Sequence, residues 1–123
     1  MPDLLEQGKI FFNDGRYFEA HEVWEDLWRE TAGPSRLLYQ GLIQAAVGMH
    51  HRSQNNIIGA RAQLNKALSK LGQYPANACG FDLARLCVDL RQVLTGLDFG
   101  GNLSVRIERL KSDSDVVESD GSG

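Results

Sequence analysis

Apolar residues in this chain recur every three to four positions, in five stretches divided by short polar breaks, and each stretch reads as an amphipathic helix. Pro2 suits a first helical position, and Leu4, Leu5, Gly8, Phe11 and Phe12 form one stripe that Asn13-Asp14-Gly15 ends. A second helix is expected from about Tyr17 to Thr31, with Phe18, Val23, Trp24, Leu27 and Trp28 available for burial, and Ala32-Gly33-Pro34 stops it. Ser35 is placed as the N-cap of a third helix running to about Ser53. That helix is the most apolar. Its stripe of Leu38, Leu42, Ala45, Ala46 and Met49 includes Gly41 and Gly48, small residues that let neighbours approach, so it is expected to be central.

After Gln54-Asn55-Asn56, a fourth helix follows from Ile57, Ala60, Leu64, Ala67, Leu68 and Leu71, closed by Gly72 and Pro75. Asp82 caps a fifth, in which Leu83, Leu86, Leu90, Val93, Leu94 and Leu97 repeat before Gly100-Gly101, and Val105 to Leu110 is expected to form a short final turn. No window of several residues has the alternation of a half-buried strand. The expected fold is therefore all-α: a compact bundle of about five antiparallel helices.

Shifting the chain by forty residues aligns Asp14-Gly15-Arg16-Tyr17-Phe18-Glu19-Ala20 with Gln54-Asn55-Asn56-Ile57-Ile58-Gly59-Ala60. Each half then reads as helix, tight polar turn and helix, with alanine at the fourth position of the second helix. The pattern resembles a tetratricopeptide hairpin, although such arrays repeat at 34 residues. Two such hairpins plus a closing helix describe the expected architecture.

At 123 residues the chain is one domain's worth, placed here at residues 1–110, and no apolar run reaches the length of a membrane span. Residues 111–123 are expected to be a disordered acidic tail, since Asp113 to Gly123 holds four acids, three serines and two glycines but only two valines. Met1 to Glu6 lacks the features of a secretory signal, which points to the cytoplasm, or to an organelle after processing. Cys79 and Cys87 lack the spacing of a redox or zinc motif and are expected to be reduced thiols.

The net charge of −3 is unevenly spread. Glu19, Glu22, Glu25, Asp26 and Glu30 crowd the second helix, whereas Thr31 to Phe81 contains no acid but has Arg36, Arg52, Arg61, Lys66 and Lys70. An acidic helix is expected to meet a basic one. This balance, without interleaved aromatic and basic residues, argues against nucleic acid and leaves a second copy or another protein as the expected partner.

Candidate chemistry lies on the second and third helices. His21 and Glu25 are four apart and Glu22 and Glu25 three apart, so one helix face offers an imidazole and two carboxylates. Gln40, Gln44 and His51 form a second polar stripe, and Gln44, inside Leu42-Ile43-Gln44-Ala45-Ala46-Val47, needs a partner. An antiparallel pairing brings His21 and Gln44 to similar heights, with His51 nearer the Tyr17 end. A metal centre would use the imidazoles and carboxylates, yet His-Glu-x-x-Glu matches neither the di-iron nor the zinc-protease pattern. A metal-free pocket would use His21 and a carboxylate as a proton-transfer pair. The structural alternative, favoured over either, is a buried hydrogen-bond network.

The segments Phe12-Asn13-x-Gly15-x-Tyr17-Phe18-Glu19-Ala20-His21-Glu22-x-Trp24-Glu25-x-x-Trp28, Tyr39-Gln40-Gly41-Leu42-Ile43-Gln44 and His51-x-x-x-x-Asn56-x-x-Gly59-Ala60 resemble the small helical family known as domain of unknown function 309. The likeness extends over roughly Leu5 to Leu97, with Asn55 where the family's turn glycine sits. Members are all-helical and often labelled predicted metal-dependent hydrolases. The resemblance thus implies a divalent metal as cofactor, with His21 and His51 as ligands and Glu22 and Glu25 as catalytic groups. Glu19, Trp28, Gln40, Gln44 and Asn56 would contact a small-molecule substrate of unknown identity. The alternative is a non-catalytic scaffold or protein-interaction module. A site predicts these side chains facing an open cavity, and a scaffold predicts them buried and paired.

Overall fold

The computed structural model describes residues 2–99 and 105–110. Five α-helices follow one another, α1 (Leu4–Asn13), α2 (Tyr17–Arg29), α3 (Ser35–Ser53), α4 (Ile57–Leu71) and α5 (Leu83–Gly96), and a 3-10 turn (Leu97–Phe99) ends α5. The all-helical expectation holds. No helix among the described residues is long and apolar enough to cross a membrane.

The helix ends follow from side chains that satisfy the first free N–H groups. Asp3 caps α1 by accepting from Glu6 N at 2.9 Å, so Pro2 stands outside the helix instead of opening it. Asn56 caps α4 through Gly59 N at 3.0 Å, and Asp82 caps α5 through Arg85 N at 3.1 Å. Ser35 is not a cap. Pro34 holds that position without a side-chain bond, and Ser35 is the first helical residue. The second helix stops at Arg29, two residues short of the expected end, and Thr31 Oγ1 donates to Leu27 O at 2.6 Å beyond it.

The forty-residue repeat is visible in the backbone. Gly15 (φ 79°) and Asn55 (φ 60°) take the same left-handed turn, where glycine is usual and asparagine tolerated. The bonds around them correspond: Arg16 N to Phe11 O (2.9 Å) with Asn56 N to His51 O (2.8 Å), and Gly15 N to Phe12 O (3.1 Å) with Asn55 N to Arg52 O (3.0 Å). Ala20 and Ala60 are both fully buried. The glycine that each hairpin places at its crossing also corresponds. Gly8 lies against Trp24, and forty residues on Gly48 lies against Leu64.

Helix α3 is central, packed on α2 on one side and most extensively on α4, while α1 rests on α2 and α5 on α4. The core runs through Phe12, Trp24, Leu38, Leu42, Met49, Leu64, Leu71, Leu86 and Leu90. Trp24 carries its indole N–H inward and donates it to Leu5 O at 3.1 Å, tying α2 to α1. Phe18, expected to be available for burial, is half exposed instead.

The segment 105–110 departs from the expected helical turn. It runs extended, with Val105 and Ile107 buried and Arg106 and Glu108 exposed, an alternation too short to register as a strand in the sequence. Asp82 N bonds Glu108 O at 2.8 Å and Leu110 N bonds Gly80 O at 3.0 Å. The Asn13 amide clasps Ile107 from both sides, accepting from its N–H at 2.7 Å and donating to its carbonyl at 2.9 Å. Both cysteines are free, and burial raises each thiol pKa above its ordinary value. The Gly100-Gly101 break and the acidic tail lie outside the described residues.

Candidate functional site

The histidines of α2 and α3 lie near the end where both hairpins turn. Phe18, in the first turn of α2, lies between His21 at 5.6 Å and His50 at 5.7 Å, ring centre to ring centre. His50 in turn lies 6.3 Å from His51. Two of the three histidines therefore flank one exposed aromatic ring, and the third, His51, lies beside His50. Neither Phe18 nor His50 stands out in the sequence as part of this group. Their signal is the antiparallel register, which brings the last turn of α3 to the first turn of α2.

Each ionisable side chain finds its partner locally. His21 Nε2 lies 2.7 Å from Glu25 Oε2, one turn along α2, with the two side chains 24% and 32% exposed. Arg29 approaches the other Glu25 oxygen at 3.6 Å and Asp26 at 3.0 Å. Glu19 is held by Arg16 at 3.0 Å. Its carboxyl is shifted below the usual range by its own backbone N–H in the first turn and then by Arg16. Glu22 is exposed, with no ion pair among the described residues. Among the described residues the α2 acids that form ion pairs use bases on α2 or in its preceding turn, while His50 of α3 adds to the downward shift of the Glu19 carboxyl.

The remaining positions are placed as follows. The Asn56 amide nitrogen is 3.3 Å from His51 Nδ1, while its oxygen caps α4. Trp28 is covered by the chain itself, since the Arg36 guanidinium stacks 3.9 Å above the indole and donates to Trp28 O and Thr31 O at 3.2 and 3.0 Å. Gln40 and Gln44 are half-buried on α3, and Gln44 Oε1, expected to need a partner, is buried without one. No described polar or charged residue is fully buried, so the group is not the buried network expected of it. A shallow depression on α5, lined by Val88, Arg91, Gln92 and Thr95, shares no residue with it.

A catalytic metal needs about three protein donors around one point. His21 and Glu25 make one pair, and His51 belongs to Asn56. Among the described residues no group of three or more His, Cys, Asp and Glu side chains comes together to hold an ion. Among the described residues the donors come together in pairs, which does not fit a metal centre.

Two relatives extend this picture. The chain is 27% identical over 99 residues to an uncharacterized protein of Aquifex aeolicus (strain VF5), a match covering 80% of this chain and 30% of that protein. It is 41% identical over 46 residues to the uncharacterized protein YpuF of Bacillus subtilis (strain 168), covering 37% of this chain and 26% of the relative. The chain thus spans less than a third of the length of these relatives. The family match ends at residue 63, short of the expected Leu97, and takes in both hairpin turns, the histidines and Asn56. Over residues 5–63, from α1 into α4, the chain matches the family described as Domain of unknown function (DUF309).

Proposed function

We propose that this chain is a non-catalytic helical interaction module of the cytoplasm, with residues 1–110 as its working unit. The observation that carries this reading is that three of the four candidate catalytic and metal-binding groups are engaged in short-range pairs, His21 with Glu25 and His51 with Asn56, while Glu22 stands exposed apart from them. A metal-dependent hydrolase would need a third protein donor beside one of these pairs, and a position left open for water. The two hairpins would serve as tetratricopeptide-like hairpins do, as rigid carriers of a surface. That relatives hold this segment in much longer chains supports a modular role.

Elemental analysis of protein purified without chelators, alongside titration with zinc, manganese and ferrous iron, tests the reading. The expected result is substoichiometric metal in wild type and in His21→Ala, with the variant less stable by under about 1 kcal/mol, as for an accessible pair one turn apart. One equivalent of a transition metal in wild type, lost in His21→Ala, would overturn it.

A further inference from the structure

Residues forty apart hold equivalent places in the two hairpins, and on one outward row that equivalence brings opposite charges into correspondence. Along α2 and its C-cap the row is Phe18, Glu22, Asp26 and Glu30; along α4 it is Ile58, Ala62, Lys66 and Lys70. Both rows face solvent, with Phe18 50% and Ile58 84% exposed and only Lys70 half-buried. Their charges are largely unspent. Asp26 pairs with Arg29 on its own helix, while Glu22, Glu30, Lys66 and Lys70 make no ion pair among the described residues. Since α2 and α4 each rest on α3, the two rows are held on separate helices of the same molecule.

The counterpart of each row is thus on the chain itself: the same four-residue spacing, an exposed apolar residue at the start of each and the opposite sign. A row from Phe18 to Glu30 is about 18 Å long, enough for three successive turns to match. We propose that a second copy of this chain covers these faces, with α2 of one copy along α4 of the other. Phe18 then lies beside Ile58, and Asp26 and Glu30 lie opposite Lys66 and Lys70. Every copy carries both rows, so each contact can be reciprocated. This surface is separate from the His21–Glu25 pair, and it stands whether or not a metal binds there.

Sedimentation velocity with light scattering on the full chain tests this. Self-association is expected at about 50 mM salt, with a dissociation constant at least about tenfold weaker near 500 mM, because exposed charge pairs are screened. Asp26→Lys with Glu30→Lys makes both rows basic, and Lys66→Glu with Lys70→Glu makes both acidic. Each variant alone is expected to be monomeric, and an equimolar mixture of the two to associate again. Ile58→Ser, which leaves every charge in place, is expected to weaken association at least about threefold. Wild type that stays monomeric at about 1 mM and low salt would overturn the proposal. So would association indifferent to the reversals, or a mixture of folded variants that stays monomeric.

Discussion

Gly8 lies so close under the indole of Trp24 that a Cβ built on it would be 2.0 Å from Nε1 and 2.3 Å from Cε2. Trp24 has no room to retreat, because it is fully buried and its N–H is held by Leu5 O at 3.1 Å. Gly8→Ala is therefore expected to destabilise the protein by about 2–3 kcal/mol, even after the roughly 1 kcal/mol that alanine gains as a helix former. At the equivalent crossing a Cβ on Gly48 would meet Leu64 Cδ2 and Cγ at 2.7 Å and Leu64 N at 3.2 Å, less severe than 2.0 Å from the indole, so Gly48→Ala is expected to cost less. Thermal melts of both variants followed by circular dichroism check the order, and equal melting temperatures for Gly8→Ala and wild type would refute it.

Asn13 carries the closing segment on one amide. Replacing it by alanine leaves the N–H and C=O of the buried Ile107 without their protein partners, at about 1 kcal/mol or more each. Asn13→Ala is expected to cost about 2–3 kcal/mol, and Asn13→Asp, which still accepts but cannot donate, roughly half as much. Urea titration gives both values. Hydrogen exchange at Ile107 N–H should accelerate in the alanine variant before exchange in α3 does.

Acid should loosen the same segment from another side. Arg109 Nη1 bonds Glu6 Oε1 at 2.8 Å, and the Glu6 carboxyl is shifted below its ordinary range chiefly by its hydrogen bond from Lys9, with Arg109 adding and desolvation opposing. A carboxylate whose folded pKa is depressed contributes stability that is present above its unfolded pKa and is lost as pH falls through the folded one. The contribution is small, since Arg109 is well exposed. Exchange protection in residues 105–110 is expected to fall below the usual carboxylate range in wild type. In Glu6→Gln it should already be lower at neutral pH and vary less with acid.

Gln44 buries its side-chain oxygen without a partner. An orphaned acceptor costs about 1–3 kcal/mol, so Gln44→Met, of similar shape, is expected to be neutral or to stabilise by up to about 1 kcal/mol. A loss of more than 1 kcal/mol in a chemical denaturation curve would mean that the amide makes a bond this structure lacks.

The helices were legible because their signals are local. Leu64, Ala67 and Leu71 fall at helical spacing, and Asp82 stands one residue before an apolar run. Asn55 departs from the usual turn glycine, yet it keeps the left-handed turn at φ 60° because asparagine tolerates that region. The His21–Glu25 pair was legible for the same reason, being four residues apart on one helix. What the spacing could not convey depends on tertiary placement. Phe18 meets His50 only through the crossing of α2 with α3, and Asn13, read as a helix stop, reaches across 94 residues to Ile107. Gln44 lacks the partner expected for its side-chain oxygen because an apolar neighbourhood in sequence does not guarantee a polar group within reach.

That each helix rests chiefly on its neighbours in sequence bears on how the chain folds. Little loop entropy must be lost before the first contacts form, since the α1–α2 and α3–α4 hairpins each close across a turn of three residues. Such topologies reach the native state in micro- to milliseconds. The extended segment at 105–110 is the exception: its bonds to Asn13 close across 94 residues, nearly the whole of the bundle. The slowest native contacts to form are then those that the Asn13 amide makes, and the hairpins can be in place before the chain's closing residues arrive.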